Sequence, residues 1–130
     1  MGPDSLHAWF EDWLDACNRH DLEAVAAFLA PDVRRAGAAT GAEAWLDEIR
    51  ELLTGFPDYR WKRIAVVAEG DRVAVHLRTR GTHRGAYRGV RATGRHVGVA
   101  AFAILRVRDG RVTEWSGTDD GAALVAQLTA

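Results

Sequence analysis

The stretch Ala68-Glu69-Gly70-Asp71-Arg72-Val73-Ala74-Val75-His76-Leu77-Arg78-Thr79 decides the fold class, because its apolar residues fall at every second position. Val73, Val75 and Leu77 alternate with Ala74, His76 and Arg78, the period of a strand with one buried face. The Glu69-Gly70-Asp71 turn joins it to a second strand, Arg63 to Val67, as a hairpin. Downstream, a loop rich in glycine and arginine leads to His96–Val107, whose alternate positions are small or apolar on both faces. That pattern predicts a strand covered on both sides. Asp109-Gly110 is a hairpin turn into a last strand, Arg111 to Thr118, and Ala122, Leu124, Val125 and Leu128 predict a short closing helix.

Upstream of Tyr59 the period is helical. Leu6, Trp9, Phe10, Trp13, Leu14 and Cys17 recur at spacings of three and four and form one stripe, with Glu11, Asp12 and Asp15 on the other side. Asp21 caps a second short helix carrying Leu22, Val25, Ala26 and Leu29, which Pro31 and Asp32 stop. Thr40 and Glu43 predict a capping box for a third helix presenting Ala42, Trp45, Leu46, Ile49 and Leu53, ended by Gly55 and Pro57. Three helices followed by an antiparallel meander predict an α+β domain whose sheet buries one face on the helices. A strongly curved sheet wrapped around the long first helix satisfies that requirement. With no repeat, low-complexity tract or linker, residues 1–130 read as one domain.

Charge excludes several partners. With 17 basic and 18 acidic residues the chain has no global basic field to attract nucleic acid or an anionic membrane. Arg78, Arg80, Arg84, Arg88, Arg91 and Arg95 concentrate in the sheet region, where phosphate, a carrier-protein arm or RNA would suit them. No nucleic-acid motif accompanies them, and they read as a solvated edge and rim. Cys17 stands alone, which excludes an internal disulfide and fits a reducing cytoplasm. Met1 to His7 lacks the pattern of a leader, and no apolar run is long enough to span a bilayer. His7, His20 and His96 have no spacing that gathers them around a metal. A soluble cytoplasmic protein is expected.

The order of elements resembles the nuclear transport factor 2-like superfamily, a cone-shaped α+β barrel, and the wording resembles its SnoaL-like polyketide cyclases. The phrases that carry the resemblance run from about Trp9 to Leu128. They are Asn18-Arg19-His20-Asp21-Leu22-Glu23-Ala24, Ala30-Pro31-Asp32-Val33, Phe56-Pro57-Asp58 and Ala68 to Val75. Gly81-Thr82-His83-Arg84-Gly85, Thr93-Gly94-Arg95 and Arg106 to Val112 complete the set. The resemblance implies a small hydrophobic ligand in an apolar pocket, and ring closure by intramolecular aldol chemistry without metal or cofactor. It also implies a homodimer through the outer face of the sheet, where Val97 and Val99 or their neighbours Ala100 and Phe102 need cover. The same superfamily hosts epoxide hydrolysis, isomerisation and non-catalytic ligand binding or dimerisation, since one fold serves many functions.

By the same resemblance the general base sits after the last strand, and counting back from Gln127-Leu128 puts it at Asp120, with Asp119 beside it. A carboxylate in an apolar cavity loses hydration and becomes a better base near neutral pH. The alternative is that either aspartate caps the closing helix. His83 continues the inward parity of Val73, Val75 and Leu77, so that it either points into the cone to bind a substrate oxygen or is structural. Tyr87 either donates to an oxyanion or covers the pocket mouth. Glu114 either pairs with Asp120 or is exposed, and Trp13, with Trp9 and Trp45, reads as packing at helical spacing that can also line the pocket. Arg35, following Val33, can meet an anionic substrate, with exposure the default. The chain departs from the family at Ala101 and Ala103, which flank Phe102 where a histidine is usual, and at Trp115-Ser116 in place of His-Trp. A roomier, more apolar pocket is implied there, unless Ser116 restores the polarity.

Overall fold

The computed structural model describes residues 2–130, which leaves out only Met1 of the stretch in which no leader is read. Helix α1 (Pro3–Asn18) and helix α2 (Leu22–Ala27) are followed by strand β1 (Leu29–Arg35) and helix α3 (Ala42–Gly55). Then come β2 (Arg60–Glu69), β3 (Arg72–Thr82), β4 (His96–Val97), β5 (Ala100–Arg108), β6 (Arg111–Gly117) and helix α4 (Asp120–Leu128). The sheet runs in the order β1-β6-β5-β3-β2, with β4 beside β3, and only the β1–β6 pair is parallel. This is the curved, mostly antiparallel α+β sheet expected from the sequence, and it is not closed.

The hairpin chemistry reads through directly. Gly70 takes φ +59° at the first position of its two-residue turn, and Asp109 and Gly110 both take positive φ, the mirror-image turns that suit strand twist. Leu6, Phe10, Trp13 and Leu14 on α1 pack with Val73, Val75, Leu105 and Val107 on the inner face of the sheet. Register shifts in β2 between Arg63 and Ala65 and in β6 opposite Arg106 and Val107 bend the strands around this core. The phrase Asn18-Arg19-His20-Asp21 is a joint. The Asn18 side chain bonds both backbone groups of Trp61, His20 Nε2 lies 2.6 Å from the Tyr59 carbonyl oxygen, and Asp21 accepts from Ala24 N–H to cap α2. Asp58 does the same at the far end of β3, accepting from the Thr82 N–H and hydroxyl at 2.7 Å each.

Three expectations need correction. Pro31 and Asp32 do not stop a helix: α2 ends four residues earlier and they lie inside β1. β1 is an edge strand whose pairing with β6 shifts between Leu29 and Arg34, and an edge with a bulge tolerates a proline that cannot donate. The capping box of α3 is absent, since Gly41 is the N-cap, with φ +107° and no side-chain cap. The strand His96–Val107 is interrupted at Gly98, and in the single chain its outer-face residues Phe102 and Ile104 are 49% and 53% exposed, so only the inner face is covered within one chain. The interruption leaves the stagger intact, because Arg78 opposite Ala100 and Gly81 opposite Val97 keep one register.

Candidate active site

Between α1, α3 and the inner face of the sheet lies a cavity of about 520 Å³, within the range of small-ligand sites. Trp13, Trp45, Trp61, Tyr59 and Leu105 supply apolar wall, and the charged groups on it are Arg35, Glu48, Arg88, Asp119 and Asp120.

Asp119 and Asp120 divide the two roles that the sequence left open between them. β6 ends at Gly117, where any side chain would collide with the Phe102 carbonyl, and Thr118 then holds the chain to β5 by accepting from Phe102 N–H. Asp119 is the N-cap of α4, its carboxylate taking the Ala122 N–H at 3.0 Å. Asp120, in the first turn, is the more buried of the two; Thr118 donates its hydroxyl to Asp120 Oδ1 at 2.8 Å. Burial raises the Asp120 pKa above the ordinary carboxylate value, against the Thr118 hydrogen bond, with the Asp119 charge adding to the rise. Helix α4 is fixed by Leu124 and Leu128 in an apolar cluster with Phe56 and Tyr87, and by Gln127, whose amide clips both backbone groups of Gly98.

Tyr87 lies on the cavity wall, edge-on to Phe56 at 5.2 Å, and burial raises its pKa, so its hydroxyl keeps its proton at neutral pH. Trp13 is on the wall as well, T-shaped against Trp45 at 5.8 Å. His83 is fully buried as its parity requires, but among Phe56 and the loop residues, away from the cavity wall. Its Nδ1 lies 2.9 Å from the Thr93 hydroxyl oxygen and 3.1 Å from the Thr93 backbone nitrogen, and Nε2 has no partner among the described residues. Phe102 stands on the outer face, stacked on His76 at 4.3 Å, with Ser116 on the same side opposite Ile104. Glu114 is also outside, paired with Arg34 and Arg106. The cavity therefore brings together Asp119, Asp120, Tyr87 and Trp13; Phe102 borders it from β5 with its ring on the outer face, and His83, Ser116 and Glu114 are not on its wall.

One polar wall residue escaped the sequence reading, and a second departs from the default assigned to it. Tyr59, buried beside α4, donates its hydroxyl to Thr79 at 2.7 Å, and burial, with the nearby Asp120 charge, pushes its pKa up. Arg35 contradicts its default of exposure: its side chain is only 6% exposed, ion-paired to Glu48 at 2.5 Å. The signal was present, since Val33 and Arg35 share the inward parity of β1, but reading Pro31 as a helix stop concealed the strand. Among the described residues no group of three or more His, Cys, Asp or Glu side chains could hold a metal ion. Nor is any helix there long and apolar enough to cross a membrane.

Comparison with known proteins finds the same fold in solved structures. The structure of AclR from Streptomyces galilaeus, a suggested hydroxylase, is similar at 27% identity and a TM-score of 0.84, covering 95% of this chain and 94% of that one. TsrD from Streptomyces laurentii is similar at 25% identity and a TM-score of 0.85, over 98% and 97%. IdmH from Streptomyces antibioticus, a proposed polyketide cyclase, shares 31% identity at a TM-score of 0.79, over 95% and 98%. Among curated proteins the comparison finds no match. The family described as SnoaL-like polyketide cyclase matches from residue 8 to residue 128, nearly the whole of the described fold, and this chain belongs to it.

Proposed function

We propose that the chain is a cofactor-independent enzyme that removes a proton next to the carbonyl of a small hydrophobic compound, with Asp120 as the base. The observation that carries this reading is a carboxyl whose pKa is raised by burial on the wall of an apolar cavity. A base of that kind is matched to proton transfer near neutral pH. Thr118 occupies Oδ1, which leaves Oδ2 as the reacting oxygen. The proton moves from the α-carbon to Asp120, and the enolate attacks a second carbonyl of the same molecule to form the ring bond. The new alkoxide then takes the proton back, so nothing is oxidised or reduced. Tyr87, protonated and on the wall, is the donor to the enolate oxygen. His83 takes no part in the transfer in this reading and holds the loop that carries Tyr87. The family's cyclase description and the cyclase proposed for IdmH support ring closure. We place the enzyme in the cytoplasm as a homodimer.

The test is hydrogen–deuterium exchange at the methyl group of acetonaphthone, followed by NMR. Wild-type protein should accelerate exchange, and Asp120→Asn should lose about a hundredfold or more of that acceleration with its circular dichroism unchanged. Equal rates in both proteins would remove Asp120 from the chemistry. Binding of the ketone without any exchange would favour a module that holds a ligand without transforming it.

A further inference from the structure

Arg35 is a buried cation with unused donors. Its guanidinium packs on Trp45, with Cζ 4.8 Å from the ring centroid, and approaches Trp115 at 5.7 Å. Stacking of this kind covers the face of the guanidinium and leaves its in-plane N–H groups to be used. Of its five donors, Nη1 bonds Glu48, whereas Nε is buried and has no hydrogen-bond partner among the described residues. An unpaired buried donor is costly, and a native structure that keeps one calls for a physical reason. Glu48 does not supply it, because its own side chain is 42% exposed and shares its charge with water. A second orphan lies on the same wall: Trp13, which packs against Trp45, has an indole N–H without an acceptor among the described residues. Both residues line the cavity.

We infer that Arg35 is the receptor for an oxyanion on the ligand, a carboxylate or an ionised enol or phenol, and so sets the substrate class of the cavity. The inference rests on the cavity being the ligand site, as proposed above, and gives it a second polar pole besides Asp120. A planar anion meets the guanidinium edge in its own plane, the geometry in which arginine binds oxygen pairs best. Glu48 then acts as the resident counter-charge that the ligand competes with.

Calorimetric titration with three naphthalenes substituted at the same ring carbon tests this: naphthoate, its methyl ester and ethylnaphthalene. Wild-type protein should bind naphthoate at least about tenfold more tightly than ethylnaphthalene. Arg35→Met should erase that preference and leave ethylnaphthalene affinity within about twofold. Glu48→Gln, which removes the competing charge and leaves Arg35 in place, should raise naphthoate affinity, and it serves as the decisive variant if Arg35→Met does not fold. Naphthol titrated in neutral and alkaline buffer separates the two sources. A gain on ionisation extends the class to enolates and phenolates, and no gain confines it to carboxylates. A naphthoate preference that is absent in the wild type, survives Arg35→Met or fails to grow in Glu48→Gln overturns the inference while leaving the cavity as a ligand site. If none of the three binds, the ligand-site reading fails and this inference fails with it.

Discussion

At the residue scale, Asp120 and Asp58 show how one side-chain type is tuned in opposite directions. Asp58 accepts the Thr82 N–H and hydroxyl and its pKa falls, whereas burial raises that of Asp120. In the window between the ordinary carboxylate value and the raised one, the folded chain binds more protons at Asp120 than the unfolded chain. Stability from this group therefore declines as pH rises through that window, and the penalty is complete above the folded pKa. Asp120→Asn should accordingly raise Tm near neutral pH, and the gain over wild type should shrink toward zero as pH falls below the ordinary carboxylate range. Thermal denaturation of both proteins across pH decides it: a variant no more stable than wild type at neutral pH would mean that Asp120 is not desolvated. For Asp58 the sign reverses, its contribution being present above the unfolded pKa and lost as pH falls through the lowered one. Asp120 was reached from the sequence by resemblance alone, because its chemistry depends on burial by elements distant in the chain. For Arg35 the default of exposure fails for the same reason: Trp45 and Trp115, which enclose it, come from α3 and β6.

At the element scale, α4 links the base to the rest of the fold. Asp119 caps it, Leu124 and Leu128 bury its inner face, and Gln127 fastens it to Gly98. Losing the cap in Asp119→Ala should cost about 1 kcal/mol, or about 4 °C in Tm for a chain of this size. Asp119→Asn, which can still accept the Ala122 N–H, should stay near wild type. If the asparagine variant falls as far as the alanine one, the charge of Asp119 beside Arg88 matters more than the cap. Strong periodicity made α1, α3 and the hairpins legible in the sequence, together with the turns at Gly70 and Asp109-Gly110. β1 was not legible, because Pro31 breaks its pattern and its parallel pairing to β6 is a contact across about eighty residues that no local signal encodes. The parity argument for His83 reached the correct face of β3, but at that end of the strand Phe56 and Tyr59 fill the interior where a cavity was expected.

At the scale of the whole molecule, the outer face of the sheet is the feature a single chain leaves unresolved. An antiparallel sheet exposed to water on one side alternates apolar inward and polar outward. Here Ile64, Val67, Phe102 and Ile104 are 45 to 64% exposed, and Ala65, Ala74 and the His76 ring fill the space between them. Contiguous apolar surface of this kind marks an interaction site, whereas scattered single residues do not. Beyond it, Arg60 opposite Arg80 and Lys62 opposite Arg78 set like charges across from each other, at some cost to the sheet. The other end mixes Glu69, Asp71 and Glu114 with Arg72 and Arg106. A second copy packed face to face with its strands running the opposite way would keep the two basic ends apart, and a two-fold axis makes one patch complementary to itself. We therefore propose a homodimer through this face, and predict that sedimentation at micromolar concentration gives twice the chain mass. Ile104→Glu combined with Val67→Glu should give a folded monomer that still binds ligand, since neither side chain borders the cavity. A wild-type monomer at that concentration, or a double variant that stays dimeric, would move the partner of this face elsewhere.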